Sequence, residues 1–441
     1  MFVIKNVLLN ICLLVIIGSF GSQISAADLP PKAQRDVLII KLAEHLKTEQ
    51  WQQAYPLFAK IDAITKANKL KADASVTYYH GEVAFNLQKY AESKQYVTDY
   101  ITRTGDKGSF YVKSLKLLTE LDTKAEELYA EGNEYAFKHI AKDANGRLGT
   151  SHTNAEPLWL EAAKMGHSGA MQKLGWIYRN GTTDGVKRDS NKALMWLRKS
   201  AALDNQDALN MLGLEHVRGK IIPKNIEEGL KLYHKSAALG SAKAYIGLGE
   251  LYHGILFGKS DHQSDHQKAA SYFLKVAQNP EKYEPKDVRE AQYKLGSLYV
   301  FGAMNADYYG FDENNEGKQA LYWHTLAANE EQMKGKAFFG SLEATFSIEG
   351  RYRLAGIYEE GKYNTEKDLP RAFRLLQSIK SNHSSAAYQL GKMYYEGKGV
   401  EKNDVEAEKL FRKLAAKRCP RSSCYLNVES EKLLRQMGLE P

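Results

Sequence analysis

At 441 residues, 43% hydrophobic and 26% charged, the chain has ample material for a packed core and is no general disordered polymer. A single core stops growing at about 300 residues, so several units or an array are expected rather than one globule. The formal charge of +8 is spread along the sequence, without the basic stripe and interleaved aromatics that mark nucleic-acid binders.

Met1 to Ala27 reads as a secretory signal peptide. Lys5 supplies the charged start, Val7 to Phe20 the apolar run, and Ser25-Ala26-Ala27 a small-residue cleavage site. The run falls short of the roughly 20 residues that a membrane span needs. No later stretch reaches that length, so the mature chain is expected to be exported, periplasmic or secreted, with no stable span once the leader is removed. Retention of the leader as an anchor is the alternative. Cys12 lies within it, which leaves Cys419 and Cys424 as an even pair in an oxidising compartment. Pro420 and two serines between them let the chain turn, so a structural disulfide leads over free thiols. The gap is wider than the C-x-x-C of redox enzymes.

Residues 28–145 carry a helical pattern. Trp51, Ala54 and Phe58 fall on one helix face, and Tyr90, Ser93 and Val97 repeat that spacing after a helix holding Tyr79, Gly81 and Ala84. In the order of aromatic, small and bulky positions this part resembles tetratricopeptide repeats (TPR), although Ser93 stands where an alanine is usual. The polar stretch Asp143 to Asn154 reads as a joint, after which Glu156-Pro157-Leu158-Trp159 begins a helix whose hairpin partner is Leu128 to Phe137.

Beyond Ala155 one grammar recurs. In Ala170 to Ala202 a first helix carries Ala170, Leu174, Gly175 and Tyr178 and closes at Gly181; a second carries Ala193, Trp196, Ala201 and Ala202. The pair returns at Leu212-Gly213, Leu248-Gly249, Leu295-Gly296, Leu354-Ala355 and Leu390-Gly391, with a period of about 36 residues and two longer intervals. On an ideal helix Ala170, Leu174 and Tyr178 lie within about 80° and form a buried stripe. One hairpin cannot bury such a stripe alone, whereas stacked neighbours can. The order A-x-x-x-L-G-x-x-Y-x-x-G followed by K-A-x-x-W/Y-x-x-K-A-A resembles the Sel1-like repeat (SLR) family of the tetratricopeptide-like helical superfamily, in its bacterial exported form. Departures are His216 for the tyrosine, Ile255 for the closing glycine and Ala355 for the paired glycine. Insertions are expected at Gly258 to Gln267, Ala303 to Asn314 and Gln332 to Glu349.

The expected fold is therefore all-α, a helical-hairpin solenoid. It comprises a signal peptide (1–27), a TPR-like part (28–145), a Sel1-like array (155–417) and a C-terminal cap (418–441) with the disulfide. An amphipathic helix from Val428 to Leu439 would cover the last apolar face.

In helical-hairpin solenoids, first-helix positions two, six and nine beyond the leading Ala usually line the concave side. Trp176, Arg179, Tyr293, Tyr352, Tyr388 and Tyr395 are the binding residues this register selects. Tyrosine gives amphipathic contact area at low entropic cost, so three successive rings suggest a track for a peptide or glycan; packing between units is the competing explanation. Tyr308, Tyr309 and Phe311 offer a second surface. Gly254 to Ser260 is one residue short of a phosphate loop and follows a helix rather than a strand. Asp261-His262 and Asp265-His266 read as a polar insertion loop rather than a metal site. No S-x-x-K, G-x-S-x-G or H-E-x-x-H occurs, so no catalytic residue, cofactor or metal is assigned. The family resemblance implies protein–protein interaction, as a scaffold or adaptor in the cell envelope with a protein or peptide partner. A cell-wall enzyme or its regulator, drawing on Glu250, His253 and Glu359, and a secreted factor binding a host protein are the alternatives. Oligomeric state is not legible.

Overall fold

The computed structural model describes residues 29–137, 141–142, 148–149, 152–254, 266–304, 313–328, 342–363, 365–416 and 425–440. Among them are nineteen α-helices, with one short antiparallel pairing of Ala141–Lys142 against Leu148–Gly149. The expected all-α hairpin fold is present. The leader, Cys419 and Cys424, and the aromatic insertion at Tyr308, Tyr309 and Phe311 lie outside the described residues.

The chain divides into two compact units, Met1–Ala208 and Leu209–Pro441. The first holds α1 (Pro31–Lys47), α2 (Trp51–Ala67), α3 (Ala74–Asn86), α4 (Tyr90–Thr104), α5 (Tyr111–Phe137), α6 (His152–Lys164), α7 (Ser168–Asn180) and α8 (Ser190–Ala202). The boundary falls within α9 (Gln206–Arg218). The second holds α10 (Ile226–Ala238), α11 (Ala242–Tyr252), α12 (His266–Ala277), α13 (Pro285–Met304), α14 (Glu313–Ala328), α15 (Leu342–Glu360), α16 (Leu369–Ile379), α17 (Ser384–Glu396), α18 (Asp404–Ala415) and α19 (Tyr425–Gln436). Consecutive helices pack as hairpins, α1 with α2, α3 with α4, α5 with α6 and α7 with α8 in the first unit.

Local signals set the boundaries. Asp189, Asn225, Asp368 and Asn403 cap second helices, each accepting a backbone N–H three residues on at 2.9–3.0 Å. First helices are capped by His167, Asn205, Ser241 and His383 in the same way. Glycines in the left-handed region end them, Gly181 at φ 67° and Gly397 at φ 66°. Between the helices one bond recurs: the N–H of Asp189, Asn225, Asp368 and Asn403 donates to the carbonyl of Tyr178, His216, Tyr358 and Tyr394 at 2.8–3.0 Å. The replacement of tyrosine by His216 leaves this bond intact, because it is made by the backbone.

The glycine of each Leu-Gly pair marks where two helices meet. A methyl on Gly249 would stand 2.5 Å from Phe273 Cε1, on Gly391 2.7 Å from Phe411 Cε1, and on Gly175 2.6 Å from Leu197. The facing residue is always four beyond a fully buried small residue of the second helix, as in Ala193–Leu197, Ala269–Phe273 and Ala407–Phe411. Gly132 faces Trp159, four beyond Ala155, so the same packing extends one hairpin upstream through α5 and α6. Ala355 breaks the glycine pattern, and its counterpart four beyond Ala372 is Leu376 rather than an aromatic ring.

Three details depart from the sequence reading. Helix α11 ends at Tyr252, two residues early by the register of α7 and α17, and Gly254 (φ 77°), one residue ahead of the register position, takes the closing turn. Helix α6 starts at His152, four residues before Glu156, with Pro157 inside it. The closing helix α19 runs from Tyr425 to Gln436, three residues earlier than expected, and buries Leu434 completely.

His324 sits in the glycine-facing position of α14, against Gly296, fully buried and with no hydrogen bond to either ring nitrogen among the described residues. Burial, aided by Arg353, drives its pKa down to about 3.

Two tests follow from this packing. Gly391→Ala should destabilise the fold by about 1–3 kcal/mol through overpacking, and Phe411→Leu should rescue it in the double variant, which chemical denaturation would measure. His324 binds a proton in the unfolded chain below pH 6.5 but in the folded chain only near pH 3, so stability falls as pH drops through that window. His324→Leu should therefore stabilise by about 2 kcal/mol more at pH 5 than at pH 8. Equal shifts in Tm at the two pH values would refute this account.

Candidate functional site

The structure places Trp176 on α7 of the first unit, 41% exposed, with the His152 ring 5.9 Å away. Arg179, one turn on, donates to Asn180 Oδ1 at 3.0 Å. The four tyrosines lie in the second unit and are all half-buried. Tyr293 on α13 tilts towards His324 at 5.8 Å, and Tyr388 on α17 towards Phe411 at 6.0 Å. Burial, then the Glu429 carboxylate, pushes the Tyr388 hydroxyl pKa up. Tyr395, also on α17, lies beneath Lys402 Nζ at 5.4 Å. Tyr352, Tyr388 and Tyr395 pack against one apolar cluster that includes Leu354, Leu390 and Phe411.

Tyr352 belongs to a constellation that occurs twice. Its ring stacks on His383 at 4.3 Å, Glu349 one turn earlier holds His383 Nε2 at 3.2 Å, and His383 Nδ1 accepts the Ala386 N–H at 3.0 Å. In the first unit Tyr129 stacks on His167 at 4.4 Å, Glu126 holds its Nε2 at 2.8 Å, and Nδ1 accepts from Ala170 at 3.0 Å. Each histidine thus caps a first helix and is clamped by the first helix of the preceding hairpin. The cap needs an unprotonated Nδ1, which leaves the ring proton on Nε2 for the carboxylate. The His383 hydrogen bond holds the Glu349 carboxyl below its usual range. Tyr129 stands three residues before Gly132, as Tyr293, Tyr352 and Tyr388 stand three before Gly296, Ala355 and Gly391. It escaped the sequence register because Glu131 replaces the leucine of its Leu-Gly pair.

A larger concavity lies within the first unit, a groove of about 1450 Å³ lined from α1 to α4 and closed by α6, α7 and α8. Its floor is a stack of rings. His80 lies between Phe58 (4.2 Å, 3°) and Tyr96 (3.8 Å, 22°), and its Nε2 is 3.4 Å from Glu92 Oε1. The Tyr55 hydroxyl reaches both oxygens of Glu92 at 2.7–2.8 Å, and Lys89 Nζ stands 3.7 Å over the Tyr55 ring. Burial lowers the His80 pKa and outweighs the opposing pull of Glu92, so the imidazole is neutral near pH 7. On the far wall Glu161 accepts the Ala91 N–H at 3.0 Å, and Lys199 lies 4.9 Å over Trp196.

The carboxylates of this groove all have internal donors. Asp62 pairs with Lys66 (3.4 Å), Asp99 with Arg103 (2.8 Å), and Asp73 caps α3 through the Ser75 N–H (2.8 Å). The surface is thus mixed in charge and aromatic at its base. Among the described residues no group of three or more His, Cys, Asp or Glu side chains could hold a metal. The sequence reading passed over this groove because its residues share no motif spacing. One signal was present: His80-Gly81 occupies the place that Leu-Gly holds in the array, and a polar ring there is out of pattern.

The Sel1 repeat family model matches at residues 168–205, 206–241, 242–279, 289–331, 348–379 and 384–418, together about half of the chain. Chitin synthase regulatory factor 3 of Schizosaccharomyces pombe is 31% identical over 111 residues, 25% of this chain and 12% of that protein. The chain therefore matches about an eighth of that relative's length. Among solved structures, a Sel1 repeat protein from Oxalobacter formigenes aligns with a TM-score of 0.46 and 20% identity, over 66% of this chain and 98% of its own. A protective antigen of uropathogenic Escherichia coli with an SLR fold aligns with a TM-score of 0.38 and 19% identity, over 94% of this chain and 91% of its own.

The groove floor has a direct spectroscopic test. Glu92 raises the His80 pKa against burial, so Glu92→Gln should lower it further. Titration of the His80 ring proton by NMR reads this, and an upward shift would contradict the described geometry.

Proposed function

The chain belongs to the Sel1 repeat family, whose members generally mediate protein–protein interaction, and on that premise we propose that it is a scaffold or adaptor of the bacterial cell envelope. The observation that carries this reading is the groove of the first unit, with its aromatic and histidine floor and its internally satisfied carboxylates. Such a surface offers rigid rings for apolar side chains and, at Lys89 and Lys199, ammonium groups set over aromatic faces. The leader-like start of the sequence supports an exported location, and the CPRSSC segment suits a disulfide there. No helix of the described residues is long and apolar enough to cross a membrane.

The groups that a wall-acting enzyme would draw on are engaged internally. Glu250 is in a close ion pair with Lys294, and Gln389 donates to both oxygens of Glu359 at 2.8 Å. The interaction reading therefore stands ahead of catalysis.

The experiment is a pull-down from envelope extract with three baits: the chain lacking residues 1–27, a groove variant (His80→Ala with Tyr96→Ala) and a track variant (Tyr293, Tyr352 and Tyr388 to Ala). Each is first matched for helicity and melting. A partner retained by the first and third baits and lost by the second is the expected outcome. Loss with the track variant alone would move the site to the second unit, and capture by none would overturn the scaffold reading. Fractionation of cells expressing the full chain should find it in the periplasm or medium; confinement to the cytoplasm would overturn the envelope assignment.

A further inference from the structure

The groove of the first unit has a smaller neighbour. A recess of about 460 Å³ is lined by Tyr55, Ala59 and Asp62, at i, i+4 and i+7 of α2, by His80 of α3, and by Glu92 and Tyr96, one turn apart on α4. Two of its aromatic walls are steeply inclined. Tyr55 meets the His80 ring edge to face at 72°, whereas Tyr96 lies nearly flat on His80 at 22°. Glu92 joins the walls, since it accepts the Tyr55 hydroxyl at 2.7–2.8 Å and stands 3.4 Å from His80 Nε2.

The recess is negative. His80 is neutral near pH 7 and the Tyr55 phenol is neutral, so neither contact cancels the Glu92 charge. Burial pushes the Tyr96 hydroxyl pKa up, and the charges that add to it are the carboxylates Glu92, Asp62 and Asp99. Lys89 lies over the Tyr55 ring but lines the larger groove, not the recess. Lys66 does line it, paired with Asp62 at 3.4 Å, with side chains 80% and 56% exposed. An ion pair so solvated is weak and readily exchanged.

We propose that this recess takes the ammonium group of a lysine side chain on a protein partner, which rests on the interaction reading and names what that partner carries. The ammonium gains cation–π attraction from the tyrosine rings and donates to Glu92 and Asp62. A carboxylate has about four acceptor positions, and Tyr55 and His80 leave part of Glu92 unused. The alkyl stem lies along the small Ala59. A quaternary ammonium has no N–H to give these oxygens, so the pairing of rings with carboxylates favours a primary amine.

The test is an NMR titration of the chain lacking residues 1–27, with labelled rings, against the tripeptide acetyl-Ala-Lys-Ala-amide. Its Nε-acetyl form keeps the stem and removes the charge. Saturable shifts at Tyr55, His80 and Tyr96 are expected with the first peptide and not the second. Asp62→Asn with Glu92→Gln leaves every ring in place and should weaken binding more than about tenfold; Tyr96→Leu should weaken it about threefold. If the double variant loses helicity, Asp62→Asn alone is read in its place. Tetramethylammonium should bind more weakly than the lysine peptide. Equal shifts with the acetylated peptide, tighter binding of tetramethylammonium, no saturation by the lysine peptide, or unchanged affinity in a folded Asp62 variant would overturn the proposal. The titration needs no captured protein, so its failure is distinct from failure of the pull-down.

Discussion

The contact on which this architecture depends is the close approach of a glycine in one helix to a large side chain in the next. At Gly249, Gly391 and Gly132 the partner is Phe273, Phe411 and Trp159, at distances that leave no room for a methyl group. The small residue four positions before each partner keeps the second helix near enough for the ring to reach the glycine. Backbone-level proximity of this kind fixes both the separation and the axial register of a hairpin, because a ring against a bare backbone has one seat. Val97 against Gly81 repeats the arrangement in the TPR-like part with a smaller side chain, and there the Ser93 hydroxyl adds a hydrogen bond to the Gly81 carbonyl at 2.7 Å. The serine that looked out of place in the sequence is thus buried and satisfied.

Much of this was legible in the residues themselves. The Leu-Gly pairs with a tyrosine three positions on located the first helices, and the K-A-x-x-W/Y-x-x-K-A-A run located the second. Where the pattern failed, it failed for local reasons. Glu131 hid Tyr129 from the Leu-Gly register, and Gly254 closed its helix one residue ahead of the expected position. Trp196 and Tyr233 stand three and four residues beyond the leading small residues of their helices, Ala193 and Gly229. Only the second of these positions faces the glycine.

The candidate site was harder to read. Tyr352 occupies the register position on its helix, yet its ring is stacked on a histidine that caps a helix 31 positions on. Nothing in the spacing of Tyr352 announces that partner. The groove of the first unit was invisible for a different reason. Tyr55, His80, Glu92 and Tyr96 come from three helices, and their meeting is a product of packing rather than of periodicity. What periodicity could have flagged is the exception, a histidine at a position otherwise filled by leucine.

The backbone bond from the cap of a second helix to the tyrosine carbonyl of the first has a broader meaning. It ties together the two ends of the inter-helix loop, at Tyr178 and Asp189, at His216 and Asn225, at Tyr358 and Asp368, and at Tyr394 and Asn403. Because the loop ends are pinned, loop length is decoupled from the stacking of hairpins. Lengthening a pinned loop costs only about 0.6 kcal/mol per doubling. Each of these four repeats therefore presents a socket in which sequence can be exchanged at small cost to the fold. Diversity in such a protein can accumulate in its loops while the helices around them stay fixed.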